Sequence, residues 1–291
     1  MNNRTIESIF NKFGIEIKKI KSATNSFNSN VYIITSNDEK KYVLKFCNNE
    51  QKMLNESKYM KYLKPYLPVS DVVGTGKYEE RYYIIQSFLE GSNKYDEDAN
   101  ELSDEQVKNI GILLGKLHSC KLLEEDNNSW IAYLNGCIDK TTELLEKKFG
   151  TEDNNKIRRF LSNYINNNIN ANYKNSILHM DFRIGNVMIG NDCKISLIDL
   201  ESMKNGEYVF DFVKMNRLLN DDKFLKFMEG YNTIRQVEDN FNERLNFYSL
   251  FDSYTSLWWC INKNQFDTDF YKLNYEIVMK YLNKLNMDGE I

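Results

Sequence analysis

The chain has 291 residues, with 38 Lys+Arg against 42 Asp+Glu for a formal net charge of −4, long enough for one large domain or two lobes with a sizeable core. This mild acidity argues against a nucleic-acid or anionic-membrane surface, whose footprint is a basic patch, and suits cationic small molecules better. Five scattered cysteines without a C-x-x-C pair, a carboxylate at Glu7 ahead of any apolar run, and no stretch apolar enough to span a bilayer lead us to expect a cytoplasmic protein with reduced thiols, no zinc or disulfide framework, and neither signal peptide nor membrane segment.

In chain order, Ile6, Ile9, Phe10 and Phe13 recur at helical spacing until Gly14 and predict a short amphipathic helix. After the polar segment 22–30, residues 31–35 and 42–46 flank Ser36-Asn37-Asp38-Glu39-Lys40 and predict a hairpin. Its second strand sets Lys45 among apolar residues, where the ammonium can reach the α- and β-phosphates of a nucleotide; a solvent-facing strand lysine is the alternative. Residues 49–63 predict a helix through Met53, Met60 and Leu63, and from it Glu56 or Glu50 can pair with Lys45. Residues 82–91 read as a strand running into a glycine. Ser103-Asp104-Glu105-Gln106 is a capping box, followed on one helix face by Val107, Ile110, Leu114 and Leu117, and His118 at the helix end reads as structural. Further helices are expected over 134–149 and 157–173, the second trailing into an Asn-rich stretch, 166–172.

The chemistry concentrates at His179-Met180-Asp181-Phe182-Arg183-Ile184-Gly185-Asn186. This H-x-D-x-x-x-x-N loop puts a carboxylate, Asp181, where it can accept a hydroxyl proton, and five residues later a carboxamide oxygen, Asn186, where it can hold Mg²⁺. Short strands over 187–189 and 194–198, joined by a Gly190-Asn191-Asp192 turn, would carry Asn186 and Asp199 to the same end, so that Asp199 completes the metal site. His179 is read as orienting the loop, and a turn or cap aspartate is the bland alternative for Asp181.

On His179, Asp181, Asn186, Asp199 and their surroundings, the chain resembles the aminoglycoside phosphotransferase and choline kinase family. The resemblance implies an α+β, bilobal protein-kinase-like fold: a small β-rich N-lobe over 1–88 that binds nucleotide, a hinge at about 86–91, and a larger, mostly helical C-lobe over 92–291 for catalysis and substrate. It implies Glu56 as the partner of Lys45, backbone contacts to adenine near Ser87 and Leu89, and phosphate contacts from the loop around Asn28 and Ser29, which lacks the family's usual glycines. Arg183 stands where many protein kinases carry a lysine for the γ-phosphate, which gives it a transition-state role; pairing with a carboxylate is the alternative. Asp211 is expected to cap or anchor. A protein kinase is disfavoured, because Asp199-Leu200-Glu201 replaces D-F-G, no A-P-E follows, and Met180 replaces the arginine of H-R-D.

The implied reaction moves the γ-phosphate of ATP or GTP, with Mg²⁺, to a hydroxyl of an amine-bearing small molecule, first an aminoglycoside-type antibiotic and second a choline- or ethanolamine-type alcohol. A nucleotide-binding pseudokinase that regulates a partner is the alternative of another class. Asp221, Asp222, Glu229, Asp252, Asp267 and Asp269, with Trp258 and Trp259, are candidates for the acceptor surface, against a core or solvated-face reading. Monomer and dimer are both open.

Overall fold

The computed structural model describes residues 3–23, 31–123, 129–169, 173–190 and 194–287. In chain order its elements are α1 (Asn3–Asn11), β1 (Ile17–Ser22), β2 (Val31–Ser36), β3 (Lys41–Cys47), α2 (Glu50–Leu63), β4 (Val72–Tyr78), β5 (Arg81–Ser87), α3 (Asp104–His118), α4 (Trp130–Phe149), α5 (Thr151–Tyr164), β6 (Asn175–Leu178), β7 (Val187–Ile189), β8 (Ile195–Leu197), β9 (Lys204–Glu207), α6 (Phe212–Leu218), α7 (Asp221–Asn232), α8 (Phe241–Asn262) and α9 (Asp269–Met287). Short 3₁₀ turns lie at Asp96–Glu101, Ile184–Asn186, Leu200–Ser202 and Tyr208–Asp211. A five-stranded sheet in a small N-terminal lobe and a larger, mostly helical C-terminal lobe make the fold α+β, as expected.

The sheet runs in the order β1-β2-β3-β5-β4, every neighbouring pair antiparallel. Because strand side chains alternate between faces, Leu44 and Phe46 join Tyr32, Ile34, Tyr83 and Ile85 in a core closed by Ile6, Ile9 and Phe10 of α1. Lys45, paired in register with Val31 and Ile84, is thereby turned to the other face. The expected hairpin is β2–β3, and Gly14 ends the α1 turn at a φ of +67°.

The two edge strands were not expected. β1 carries Lys18, Lys19 and Lys21, all exposed, and reads as a polar segment; lysines on an edge strand discourage pairing with another chain. In β4 two glycines break the alternation, and rings crowd both: a Cβ on Gly74 would lie 2.0 Å from the Phe13 ring, and one on Gly76 2.5 Å from the Tyr83 hydroxyl.

Residue contacts group the chain into two compact units, the first made of 1–120, 179–204 and 217–236, the second of 121–178, 205–216 and 237–291. In the first, Asn49 caps α2 by accepting from the Lys52 N–H at 2.9 Å, and the expected capping box opens α3, with Gln106 N–H on Ser103 Oγ at 3.2 Å and Ser103 N–H on Gln106 Oε1 at 2.9 Å. His118 is buried, its Nδ1 3.1 Å from the Tyr231 hydroxyl, which fits the structural reading. In the second unit a lone Gly150 separates α4 from α5, so the second helix starts six residues earlier than its apolar pattern suggests and ends at Tyr164, before a single π-turn at Ile165–Ile169. Its core is aromatic: Phe241, Tyr248, Phe251 and Leu257 are buried as expected, and Trp130 Nε1 donates to Tyr248, whose hydroxyl donates to Glu207, itself paired with Arg244. Asp211 is buried at the end of its 3₁₀ turn. Among the described residues no helix is long and apolar enough to cross a membrane. Cys47 and Cys260 are buried free thiols, whereas Cys120 and Cys137 are partly exposed.

α3 and α7 pack backbone to backbone through glycine. A Cβ on Gly111 would lie 2.0 Å from the Phe227 carbonyl oxygen, and one on Gly230 1.9 Å from that of Lys108. Since a backbone cannot step aside as a flexible side chain can, Gly111→Ala and Gly230→Ala are each expected to destabilise the fold by about 2 kcal/mol or more in denaturant titration. Gly136→Ala, whose Cβ would meet nothing within 4 Å, is the control and should be neutral or stabilising.

Candidate active site

Lys45 is a cation with 6% of its surface exposed, on a strand whose flanking residues are apolar. Burying an ammonium is tolerable only when carboxylates replace its hydration. Three do so: Glu56 Oε2 at 2.9 Å, Asp199 Oδ1 at 2.5 Å and Glu201 Oε2 at 3.0 Å. Burial alone would lower the Lys45 pKa; Glu56, Asp199 and Glu201 outweigh it and hold the pKa well above the ordinary value. For Asp199 burial pushes upward, but the attraction of Lys45 prevails and its carboxyl is held below the usual range. Glu56 is wholly buried, and there burial wins over Lys45 and raises the carboxyl. The neighbouring Cys47 thiol is pushed up to about 12 by burial and by Glu56, which makes it an inert thiol.

α2 supplies more than Glu56. Helical spacing places Lys52, Asn55 and Glu56 on one face. Lys52 Nζ reaches Glu201 Oε1 at 2.6 Å, and Asn55 Nδ2 donates to the backbone carbonyls of Glu201 at 3.0 Å and Met203 at 2.9 Å. The segment so gripped begins with Asp199 in the left-handed region, at a φ of 65°. A non-glycine residue held there costs on the order of 1 kcal/mol and persists only where its surroundings impose it. Lys45 on the side chain and Asn55 on the following turn do so.

In the catalytic loop His179 is fully buried. The Asp181 N–H reaches His179 Nδ1 at 3.3 Å, which makes Nδ1 the acceptor and leaves Nε2–H to donate to the Ile198 carbonyl at 2.9 Å. The ring thus ties the loop to the residue before Asp199, the orienting position expected of it. Met180 is left-handed, at a φ of 70°, and Phe182 is buried between the His179 ring and Phe227 of α7. Asn186 Nδ2 donates to the Asp181 backbone carbonyl and to its Oδ2, both at 2.8 Å. With its nitrogen so committed, the carboxamide presents its oxygen as the remaining ligand atom.

β7 and β8 pair with Val187 opposite Leu197, and the Ile198 N–H donates to the Asn186 carbonyl at 3.2 Å. The expected hairpin therefore does bring Asn186 and Asp199 to one end, although Asn191 and Asp192 of its turn lie outside the described residues. A carboxamide oxygen and a carboxylate are hard oxygen donors of the kind Mg²⁺ takes. Arg183 Nε reaches Asp181 Oδ2 at 3.3 Å, while Nη1 pairs with Asp96 at 2.7 Å. Burial acts to lower the guanidinium pKa, and Asp181 and Asp96 together raise it.

At the end of β5 the Ser87 N–H donates to the Asp71 carbonyl at 2.9 Å and the Phe88 N–H to that of Lys41 at 3.3 Å, so strand pairing runs on past Ser87 towards the half-buried Leu89. Asn28 and Ser29 lie outside the described residues. The structure thus brings Lys45, Glu56 and Asp199 together, and joins Asp181, Asn186 and Arg183. It adds Lys52, Asn55, Glu201 and Asp96, which the sequence pattern did not single out. Only the shared helix face of Lys52 with Glu56, and the carboxylate of Glu201 two residues after Asp199, could have signalled them.

A buried lysine on the sheet, a buried glutamate on the next helix that pairs with it, and an H-x-D-x-x-x-x-N loop leading to a hairpin and an aspartate are the arrangement of a phosphotransferase of protein-kinase-like fold. The sequence matches the phosphotransferase enzyme family over residues 20–239, and the chain belongs to that family. It is therefore an enzyme, a phosphotransferase with an alcohol group as acceptor. No curated protein matches it in sequence. Solved structures similar to it include a thermostable mutant of aminoglycoside phosphotransferase APH(4)-Ia (TM-score 0.74, 14% identity, 96% of this chain and 98% of that one). A protein described as a fructosamine-3-kinase from Haemophilus somnus 129PT (TM-score 0.72, 17% identity, 95% and 96%) and a spectinomycin phosphotransferase in complex with ADP and spectinomycin (TM-score 0.67, 15% identity, 96% and 94%) are also similar. At such identities the likeness shows the fold.

Asn55→Ala should release the turn after Asp199. The expected result is a loss of about 1–3 kcal/mol in denaturant titration, two part-buried carbonyls having lost their donor, together with faster amide exchange over residues 199–203.

Proposed function

We propose that the chain transfers the γ-phosphoryl group of ATP or GTP to a hydroxyl of an amine-bearing small molecule, with aminoglycoside-type antibiotics as the first candidates. The observation that carries this reading is the Asp181–Asn186 contact. One carboxylate oxygen, Oδ2, takes both Asn186 Nδ2 and Arg183 Nε, which fixes the plane of the carboxyl group. A carboxylate so held can orient an acceptor hydroxyl and take its proton as the oxygen–phosphorus bond forms, the bond to the β-phosphate breaks and a nucleoside diphosphate leaves.

Lys45, held by Glu56, would clamp the α- and β-phosphates, and the backbone near Ser87 and Leu89 would meet the base. Asn186 and Asp199 would hold Mg²⁺, which when bound neutralises charge on the phosphates. Arg183, beside Asp181, would face the transferring group. The lobe boundaries at about 88 and 92 and a cytoplasmic location, where nucleoside triphosphates are supplied, belong to the same reading.

Amine preference is supported by the acidic balance of the chain, and by neighbours of this fold that carry the names of aminoglycoside, spectinomycin and fructosamine kinases. Of the acids that could recognise amines, Glu229 pairs with Lys226, Asp269 pairs with Lys272 and Asp252 is buried, whereas Asp221, Asp222 and Asp267 are exposed. Trp259 packs edge-on against Phe270. A choline- or ethanolamine-type alcohol is the second reading, with the same cationic logic, and a screen of nucleoside diphosphate release over both classes separates them. Absence of turnover with every acceptor would favour a regulatory nucleotide-binding protein.

Asp181→Asn should lower kcat by about 10²–10⁴-fold with little change in KM for the metal–nucleotide complex. Asp199→Ala should instead weaken that complex's binding; unaltered affinity in a calorimetric titration would remove Asp199 from the metal site. For an amine-bearing acceptor, KM should rise steeply between low and high salt while that for Mg·ATP changes less. A flat response, or a neutral acceptor that outperforms every amine, would leave the phosphotransferase reading without its cationic substrate.

A further inference from the structure

We propose that Asp96 is a positioning residue for phosphoryl transfer: from outside the catalytic loop it sets the place of the Arg183 guanidinium beside Asp181. The inference rests on the reading of Asp181 as the group that receives the hydroxyl proton.

Asp96 opens the 3₁₀ turn Asp96–Glu101, and both of its carboxylate oxygens are spent on the catalytic loop. Oδ2 takes Arg183 Nη1 at 2.7 Å, and Oδ1 takes the Gly185 N–H at 2.8 Å. The segment leading to it is fastened to the same stretch. Ser92 and Ile189 exchange backbone hydrogen bonds, Ser92 N–H to Ile189 O at 3.0 Å and Ile189 N–H to Ser92 O at 2.9 Å, and Asn93 Nδ2 lies 3.5 Å from the Gly185 carbonyl. The chain after β5 thus lies along residues 183–189, and Asp96 is the charged end of that seam.

Gly185 fits the arrangement. A Cβ there would lie 2.4 Å from Arg183 Nη1 and 3.4 Å from Asp96 Oδ1, so the guanidinium rests against a bare backbone. One cation is shared unequally by two carboxylates, with 2.7 Å to Asp96 against 3.3 Å to Asp181. Arginine prefers a two-pronged grip on a single carboxylate. If Asp96 loses its charge, the guanidinium is free to close on Asp181 in that way and cover the oxygen that must meet the acceptor hydroxyl. Asp96 draws the terminal nitrogen aside and leaves only the longer Nε contact.

The test uses the full-length chain with Asp96→Asn, Arg183→Ala and the double variant. Asp96→Asn keeps an oxygen for the Gly185 N–H but removes the charge that holds Arg183. Phosphoryl transfer from Mg·ATP should show kcat lower by about tenfold, with KM for Mg·ATP within about twofold of wild type, and no further loss when the change is made on the Arg183→Ala background. The Arg183 Nε–H resonance, observed without nucleotide or acceptor, should move in Asp96→Asn. Wild-type kcat in Asp96→Asn, an equal tenfold loss on the Arg183→Ala background, or an unmoved Arg183 resonance would each overturn the proposal. If the wild-type chain transfers nothing from ATP or GTP, the reading of Asp181 falls instead, and the resonance alone still decides whether Asp96 governs Arg183.

Discussion

A buried ammonium keeps its charge only where negative charge surrounds it, and Lys45 imposes that condition on two other parts of the chain. Strand parity sends its side chain to the face opposite the α1 core. α2 then has to supply Glu56, and the segment after β8 has to supply Asp199 and Glu201. Removing one partner of such a buried pair typically costs about 3–5 kcal/mol, because the remaining charge is left uncompensated. The left-handed backbone at Asp199 and the Asn55 grip on the next turn are consequences of that need. The groups that make the site chemically capable are the ones whose placement the protein cannot relax.

The catalytic loop is held by a different kind of force. Here hydrogen bonds fix geometry: His179 to the carbonyl before Asp199, Asn186 to both the backbone and the carboxylate of Asp181. Phe182 adds an apolar anchor on α7, which itself sits against α3 at backbone contact. Charge holds the Lys45 cluster, and hydrogen bonding with packing, joined by the Arg183 ion pairs, holds the loop at 179–186. Loose phosphoryl-transfer transition states ask for both, since positioning and neutralisation do most of the work.

Much of this is legible in the amino-acid sequence. Lys45, Asp181, Asn186 and Asp199 stand at spacings set by strand, loop and hairpin, and the hairpin register carries Asn186 and Asp199 together as the sequence pattern implies. Between Glu50 and Glu56, it is Glu56 that pairs with Lys45, at 2.9 Å. The residues that escaped notice act at long range. Asp96 meets Arg183 across 87 positions and Lys52 meets Glu201 across 149, and no local pattern announces such a meeting. β1 and β4 were hidden for another reason: an edge strand studded with lysine, and one broken by two glycines, lack the alternation by which strands are recognised.

The first compact unit is threaded from three stretches of chain, 1–120, 179–204 and 217–236. During synthesis the sheet, α2 and α3 leave the ribosome long before their partners: Lys45 waits for a carboxylate 154 positions downstream, and Gly111 waits for the glycine-bearing α7. Contacts of such separation close late, because loop entropy must be overcome first. The N-terminal stretch by itself thus holds Lys45 with Glu56 as its one carboxylate, two short of the finished cluster. A message truncated anywhere before residue 199 yields a chain in which Lys45 lacks two of its three carboxylates, however much of its sheet has formed.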